Sequence, residues 1–266
     1  MGAALGWIAF ITSPTYRRRF LANAALAGYP FGVVRPAVGH AGRMVAELPR
    51  LWLGVPPPLS LRGEAFVEAA YAAGKGVVYL TPHQGCFELS AQAVARRWSA
   101  ERGPITVLYR PARQAWLAKL METARNRPGM QAVPTTLAGV RQMIKALRRG
   151  ESVGLLPDQV PPEGLGLWSP VFGSDAYTMT LAARLAQQTG AAVVLVRCER
   201  LSWGRGFVTH FEPLAEPLSP DLEGAVAQIN QAMEHLIRQC PEQYLWGYGR
   251  YKQPRADAPA AAEVAR

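Results

Sequence analysis

Gly76-Val77-Val78-Tyr79-Leu80-Thr81 runs directly into Pro82-His83-Gln84-Gly85-Cys86-Phe87-Glu88, and the helix-like stretch Leu89 to Val94 follows. An apolar run without alternation, opened by a glycine and closed by a proline, reads as a strand covered on both faces. The pattern returns in Ile105-Thr106-Val107-Leu108-Tyr109, Ser152-Val153-Gly154-Leu155-Leu156 and Ala192-Val193-Val194-Leu195-Val196. The segments between have helical period. Leu137, Val140, Ile144 and Leu147 form one stripe, closed by Arg148-Arg149-Gly150, with cations and a glycine where a helix C-terminus favours them. Residues 178–189 read as a second helix stopped by Gly190, and Val226, Ile229, Met233 and Leu236 as a third before Pro241. Strands alternating with helices specify an α/β fold with a mostly parallel sheet. Gly206 to Leu214 is expected to add an antiparallel or edge strand.

Outward from this core, Pro56-Pro57-Pro58 marks a joint. The expected organisation is a helical, membrane-proximal region over 1–55, a core over 56–254 and a flexible Ala-rich tail over 255–266. A chain of 266 residues that is 49% hydrophobic can bury one sizeable core. With 29 Lys and Arg against 19 Asp and Glu, its formal charge is +10. That balance favours lipid head groups, acidic proteins or nucleic acid, and nucleic acid is the weakest of the three because neither zinc-finger spacing nor an aromatic ribonucleoprotein motif is present. Cys86, Cys198 and Cys240 are odd in number and never in a C-x-x-C pair, which supports neither a disulfide framework nor a structural zinc. The apolar segment Met1 to Thr12, with Trp7 and Phe10, is shorter than the ~20 residues a spanning helix needs. It runs into Arg17-Arg18-Arg19 and reads equally as an interfacial anchor or as a helix docked on the core.

Ligands of open α/β sheets bind beyond the carboxyl ends of the strands. The first strand delivers His83 and Glu88 there. If His83 sits in the turn and Glu88 in the first helical turn, the carboxylate can orient one imidazole nitrogen while the other accepts a proton from an alcohol. Arg110, after the second strand, can hold a phosphate or carboxylate by forked hydrogen bonds. Asp158 and Gln159, after the third, can position an acceptor hydroxyl or sugar, or simply cap their loop. Cys86 offers a nucleophile in a hydrolase reading, but no G-x-S-x-G elbow accompanies it.

The stretches TPHQGCFELSAQAVARR (81–97), VLYRPAR (107–113), MIKALRRGESVGLLPDQ (143–159), SPVFG (169–173), LAARLAQQTGAAVVLVRCER (181–200) and PEQYLWGYGRYKQPR (241–255) occur in this order. Together they resemble the lipid A biosynthesis acyltransferase family, the late lauroyl and myristoyl transferases of Gram-negative bacteria. The resemblance covers roughly residues 40–254. It implies glycerolphosphate-acyltransferase-like αβα layers around a mostly parallel mixed sheet, with a helical N-terminal region. It also implies O-acyl transfer from an acyl carrier protein thioester, or acyl-CoA, to an anionic lipid A precursor or related glycolipid. Localisation would be the cytoplasmic face of the bacterial inner membrane, with no metal or other cofactor. On the family's H-x4-E motif, catalysis maps to His83 and Glu88, and substrate binding to Arg110, Asp158, Gln159 and Arg250, with Arg113 a weaker candidate. Two features depart from the family: the short apolar N-terminus, and an ending of Trp246-Gly247-Tyr248-Gly249-Arg250 where a His commonly stands between the Trp and the Arg. They leave open another acceptor (an aminolipid, an aryl lipid or a lysophospholipid) and a non-catalytic membrane-binding module.

Overall fold

The structure is a computed structural model that describes residues 2–55, 57–109, 114 and 127–255. A seven-stranded sheet takes the order β1-β9-β8-β2-β5-β3-β4. Its strands are β1 (Leu59–Arg62), β2 (Val77–Leu80), β3 (Ile105–Tyr109), β4 (Met130–Pro134), β5 (Ser152–Leu155), β8 (Ala192–Arg200) and β9 (Phe207–Pro213). Every pairing is parallel except β8 with β9. β2 lies inside, flanked by β5 and β8 with Leu80 level with Leu155 and Leu195, and all four of its residues are buried. The Gly206–Leu214 strand is therefore antiparallel to β8 but not an edge, because β1 covers it.

Alternation along β2 feeds two cores. Val78 and Leu80 face Met143, Leu185 and Ile229, which belong to α6 (Leu137–Arg148), α7 (Leu181–Thr189) and α8 (Leu222–Gln239). Val77 and Tyr79 face Val67, Trp98 and Phe211, the first two from α4 (Glu64–Ala72) and α5 (Glu88–Arg102). The result is an α/β architecture with a largely parallel mixed sheet between helical layers.

A separate hairpin, β6 (Gly166–Val171) with β7 (Ser174–Met179), turns at Phe172 and Gly173, with φ 47° and 75°. Positive φ at both central residues is the turn that matches strand twist in a two-residue hairpin. The helix expected over 178–189 begins only at Leu181, because Thr178 and Met179 pair with Leu167 and Gly166.

The helical N-terminal region comprises α1 (Gly2–Thr12), α2 (Pro14–Leu26) and α3 (Phe31–Leu53). A Cβ on Gly6 would lie 1.9 Å from the Val38 carbonyl oxygen, and one on Gly42 2.2 Å from the Gly6 nitrogen. Glycines thus let α1 and α3 touch backbone to backbone. Phe10, Phe20 and Val34 cluster with Tyr244 and Trp246, and the Asn23 amide donates to the carbonyls of Trp246 (2.7 Å) and Tyr248 (2.6 Å). This layer grips the C-terminal segment while Leu5, Ile8 and Ile11 of α1 stay exposed. Among the described residues no helix is long and apolar enough to cross a membrane.

Candidate active site

Pro82 and Gly85 break the chain between β2 and α5, and the loop they create is pinned along its length. Gly85 N–H donates to Gln243 O (2.9 Å), Cys86 N–H to Cys198 O (2.9 Å) and Leu245 N–H to His83 O (3.1 Å). The buried Gln84 amide donates to Cys240 O at 2.7 Å, and Arg200 Nη2 to Gly85 O at 3.1 Å. Gly85 has φ 58°, and a Cβ there would meet the Cys198 carbonyl oxygen at 1.9 Å. Buried backbone groups satisfied in this way leave the loop one conformation.

His83 and Asp158 meet because of register. Leu80 of β2 is level with Leu155 of β5, and His83 and Asp158 each stand three positions beyond the end of their own strand. Asp158 takes the His83 backbone N–H on Oδ2 (2.8 Å) and Nδ1 on Oδ1 (2.7 Å). Burial of Asp158 would raise its carboxyl pKa, but the His83 charge, the two His83 hydrogen bonds and the nearby Arg250 guanidinium outweigh that and hold it below the usual range. An ionised carboxylate only accepts, so Nδ1 carries the proton and Nε2 is the basic nitrogen. The His83 side chain keeps 18% of its surface accessible, and the Phe87 ring packs against it edge-on with centroids 4.7 Å apart.

The sequence points to Glu88 as the carboxylate that orients the ring; the structure puts Asp158 on Nδ1. Glu88 opens α5, half-buried, where the helix dipole favours a negative charge. Gln159 lies half-buried in the bend after Asp158. Arg250 is buried, donating from Nη1 to Tyr177 O at 2.7 Å and from Nη2 to Thr178 Oγ1, both on β7. Desolvation lowers its pKa, against the raising effect of Tyr244 and Asp158. Arg110 and Arg113, and the tail from 256, lie outside the described residues. Cys86 is buried, and desolvation, with Cys198 and Glu47 nearby, pushes its thiol pKa far up, the opposite of what a nucleophile needs. Among the described residues no group of three or more His, Cys, Asp or Glu stands together as a metal site.

Three supporting residues went unnoticed in the sequence. Tyr244 is buried beside Asp158, and burial first, then the Asp158 charge, raises its pKa well above the usual phenol range. Gln84 ties the loop to the C-terminal segment at Cys240 O, and Gln243 ties that segment to the backbone of Arg200 at the end of β8. No local pattern marks the two glutamines, since Gln84 follows His83 and Gln243 follows Glu242 in polar stretches.

A carboxylate-oriented imidazole at the carboxyl edge of a mostly parallel sheet is equipped to take a proton from an alcohol or amine during group transfer. The chain belongs to the bacterial lipid A biosynthesis acyltransferase family, whose model matches residues 32–253. It is 29% identical over 152 residues to a lipid A biosynthesis palmitoleoyltransferase of Escherichia coli (strain K12), covering 56% of this chain and 48% of that protein. To a lipid A biosynthesis lauroyltransferase of the same organism it is 28% identical over 192 residues, 71% of this chain and 60% of that protein. A lipid A biosynthesis acyltransferase of Haemophilus influenzae is 25% identical over 185 residues, 69% of this chain and 56% of that protein. The matched region thus spans about half the length of these relatives.

Proposed function

We propose that this chain transfers a fatty acyl group from an acyl carrier protein thioester, or acyl-CoA, to a hydroxyl of a lipid A precursor or related glycolipid. On this reading the core is glycerolphosphate-acyltransferase-like, and the protein works peripherally on the cytoplasmic face of the bacterial inner membrane. The observation that carries the proposal is the 2.7 Å contact between His83 Nδ1 and Asp158 in a chain of this family. His83 Nε2 takes the acceptor's hydroxyl proton as its oxygen attacks the thioester carbonyl carbon. The tetrahedral intermediate collapses, the C–S bond breaks, and the imidazolium returns the proton to the leaving thiolate. Asp158 holds the tautomer and stabilises the imidazolium, and Glu88 acts with His83 as the carboxylate of the H-x4-E motif. Arg110 and Gln159 contact substrate, and Arg250 serves by setting the field around Asp158. Catalysis needs no metal or prosthetic group.

A second reading, acyl transfer to a different lipid such as an aminolipid, an aryl lipid or a lysophospholipid, is favoured by one observation. Between Trp246 and Arg250 stand Gly247, Tyr248 and Gly249, with no His there. The experiment is incubation of the purified protein with acyl carrier protein thioester or acyl-CoA and each lipid class, read by mass spectrometry. An acylated lipid A precursor supports the first reading, and acylation of another lipid alone supports the second. No acylated lipid with either donor overturns both.

A further inference from the structure

β8 outlasts its neighbour. Leu80, the last residue of β2, is level with Leu195, and β8 continues to Arg200, about 16 Å further at the rise of an extended strand. It runs in the direction of β2 and β5, so the turn joining it to β9 projects from the sheet edge that carries His83. At its tip a 3₁₀ turn, Ser202–Gly204, holds Trp203 at φ 60° and ψ 27° with 96% of its surface exposed. The left-handed conformation is unfavourable for a bulky L-residue, and water is unfavourable for an indole. The turn is not slack. Leu201 N–H donates to Gly206 O (2.9 Å) and Phe207 N–H to Pro58 O (3.0 Å), while Arg205 clasps the Ser202 carbonyl (3.2 Å) and hydroxyl (3.0 Å). The fold therefore builds a stiff support that presents one Trp outward.

A cleft of about 810 Å³ separates this tip from the end of α3; Arg43, Arg50 and Arg205 line it together with Glu47, Glu199 and Glu242, of which Glu47 is paired with Arg200 and Glu199 with Arg197. Leu53 and Val55, which follow the cleft-lining Leu51 in the chain, are 71% and 78% exposed. Exposed apolar groups thus occur on both the tip and the α3 end, with guanidiniums lining the cleft between those elements, a combination that suits a bilayer interface, where Trp sits at headgroup depth and cations meet lipid phosphates.

We propose that the β8–β9 tip, with Trp203 and Arg205, and the α3 end, with Leu53 and Val55, form a membrane contact that seats the His83 edge of the sheet on an anionic phospholipid surface. The contact rests on the proposed lipid acyltransferase function, since a lipid acceptor must reach His83 from that surface.

The test is co-sedimentation of the full chain with phosphatidylglycerol/phosphatidylcholine vesicles and with phosphatidylcholine vesicles, comparing wild type, Trp203→Asn and Arg205→Gln, with thermal melting and carrier-protein binding measured alongside. Trp203→Asn is expected to weaken vesicle binding about tenfold. Its melting temperature should stay level or rise, because Asn tolerates the left-handed region. Arg205→Gln is expected to weaken binding to the anionic vesicles about fivefold and to leave the neutral ones unaffected. If the Asn variant melts lower, Trp203→Gly replaces it in the same comparison. Wild-type binding that is unchanged in the Trp203 variants overturns the inference and leaves the acyltransferase reading standing. A Trp203 variant that binds vesicles normally but loses the carrier protein also overturns it, assigning the tip to an acidic protein. Absence of wild-type binding to either vesicle overturns the membrane contact altogether, whereas acyl transfer to a dispersed acceptor judges the acyltransferase reading separately.

Discussion

Asp158→Asn isolates what the buried carboxylate does, since it keeps the shape and removes the charge. The wild-type carboxylate accepts from the His83 backbone N–H at 2.8 Å and from Nδ1 at 2.7 Å. An amide has one acceptor oxygen. If that oxygen keeps the backbone N–H, the NH₂ group faces Nδ1 and can bond it only when the ring proton moves to Nε2. The nitrogen assigned to proton abstraction is then blocked, and the imidazolium loses its counter-charge. General-base catalysis contributes about 10²- to 10⁴-fold, and the loss in kcat/KM is expected in that range with KM little changed. Exchanging a charge-assisted bond for a neutral one costs roughly 1–3 kcal/mol of stability, so the variant should stay folded with a moderately lower melting temperature. Single-turnover acyl transfer and calorimetry on the same sample separate the two effects. Activity within twofold of wild type in a variant with intact fold would refute the assignment of Asp158 as the group that sets the His83 tautomer.

Two further outcomes follow from the same geometry. Gly85→Ala places a methyl against the Cys198 carbonyl oxygen at a positive φ, and is expected to cost roughly 2–4 kcal/mol; denaturant unfolding checks this, and a change under 0.5 kcal/mol contradicts it. The Asp158 carboxyl sits below its ordinary value in the folded protein, so its stabilising effect is complete above the unfolded value of about 3.9 and fades as pH falls through the folded one. The stability gap between wild type and Asp158→Asn, followed by thermal melting, should shrink as pH falls below about 4; a gap that keeps widening below that pH contradicts the sign.

The central strands were legible because burial on both faces leaves unbroken apolar runs, as in Val77–Leu80 and Ala192–Val196. Elements at the margins were not. β1 has only four residues of alternating burial, β4 ends on Pro134, and β6 carries Ser169 and Pro170, so none resembles a core strand. Candidate site residues were legible as polar groups following strands. Their partnership was not. Asp158 lies 75 residues from His83, and only the pairing of β5 with β2, with β3 and β4 intervening in the chain, makes them neighbours. Glu88, close in sequence, is the carboxylate expected on the ring, and register adds a distant one, Asp158, at Nδ1. The Trp203 tip reads as ordinary loop in sequence, since neither its positive φ nor its exposure leaves a local mark.

The central claim is that His83, held by Asp158, is the base for acyl transfer to a lipid. The most direct measurement is mass-spectrometric detection of acylated lipid formed by wild type and by His83→Ala, both shown to be folded, under identical donor and acceptor. A product that forms with wild type and falls at least about 10²-fold in the variant is the expected result. Equal product from both would contradict the account.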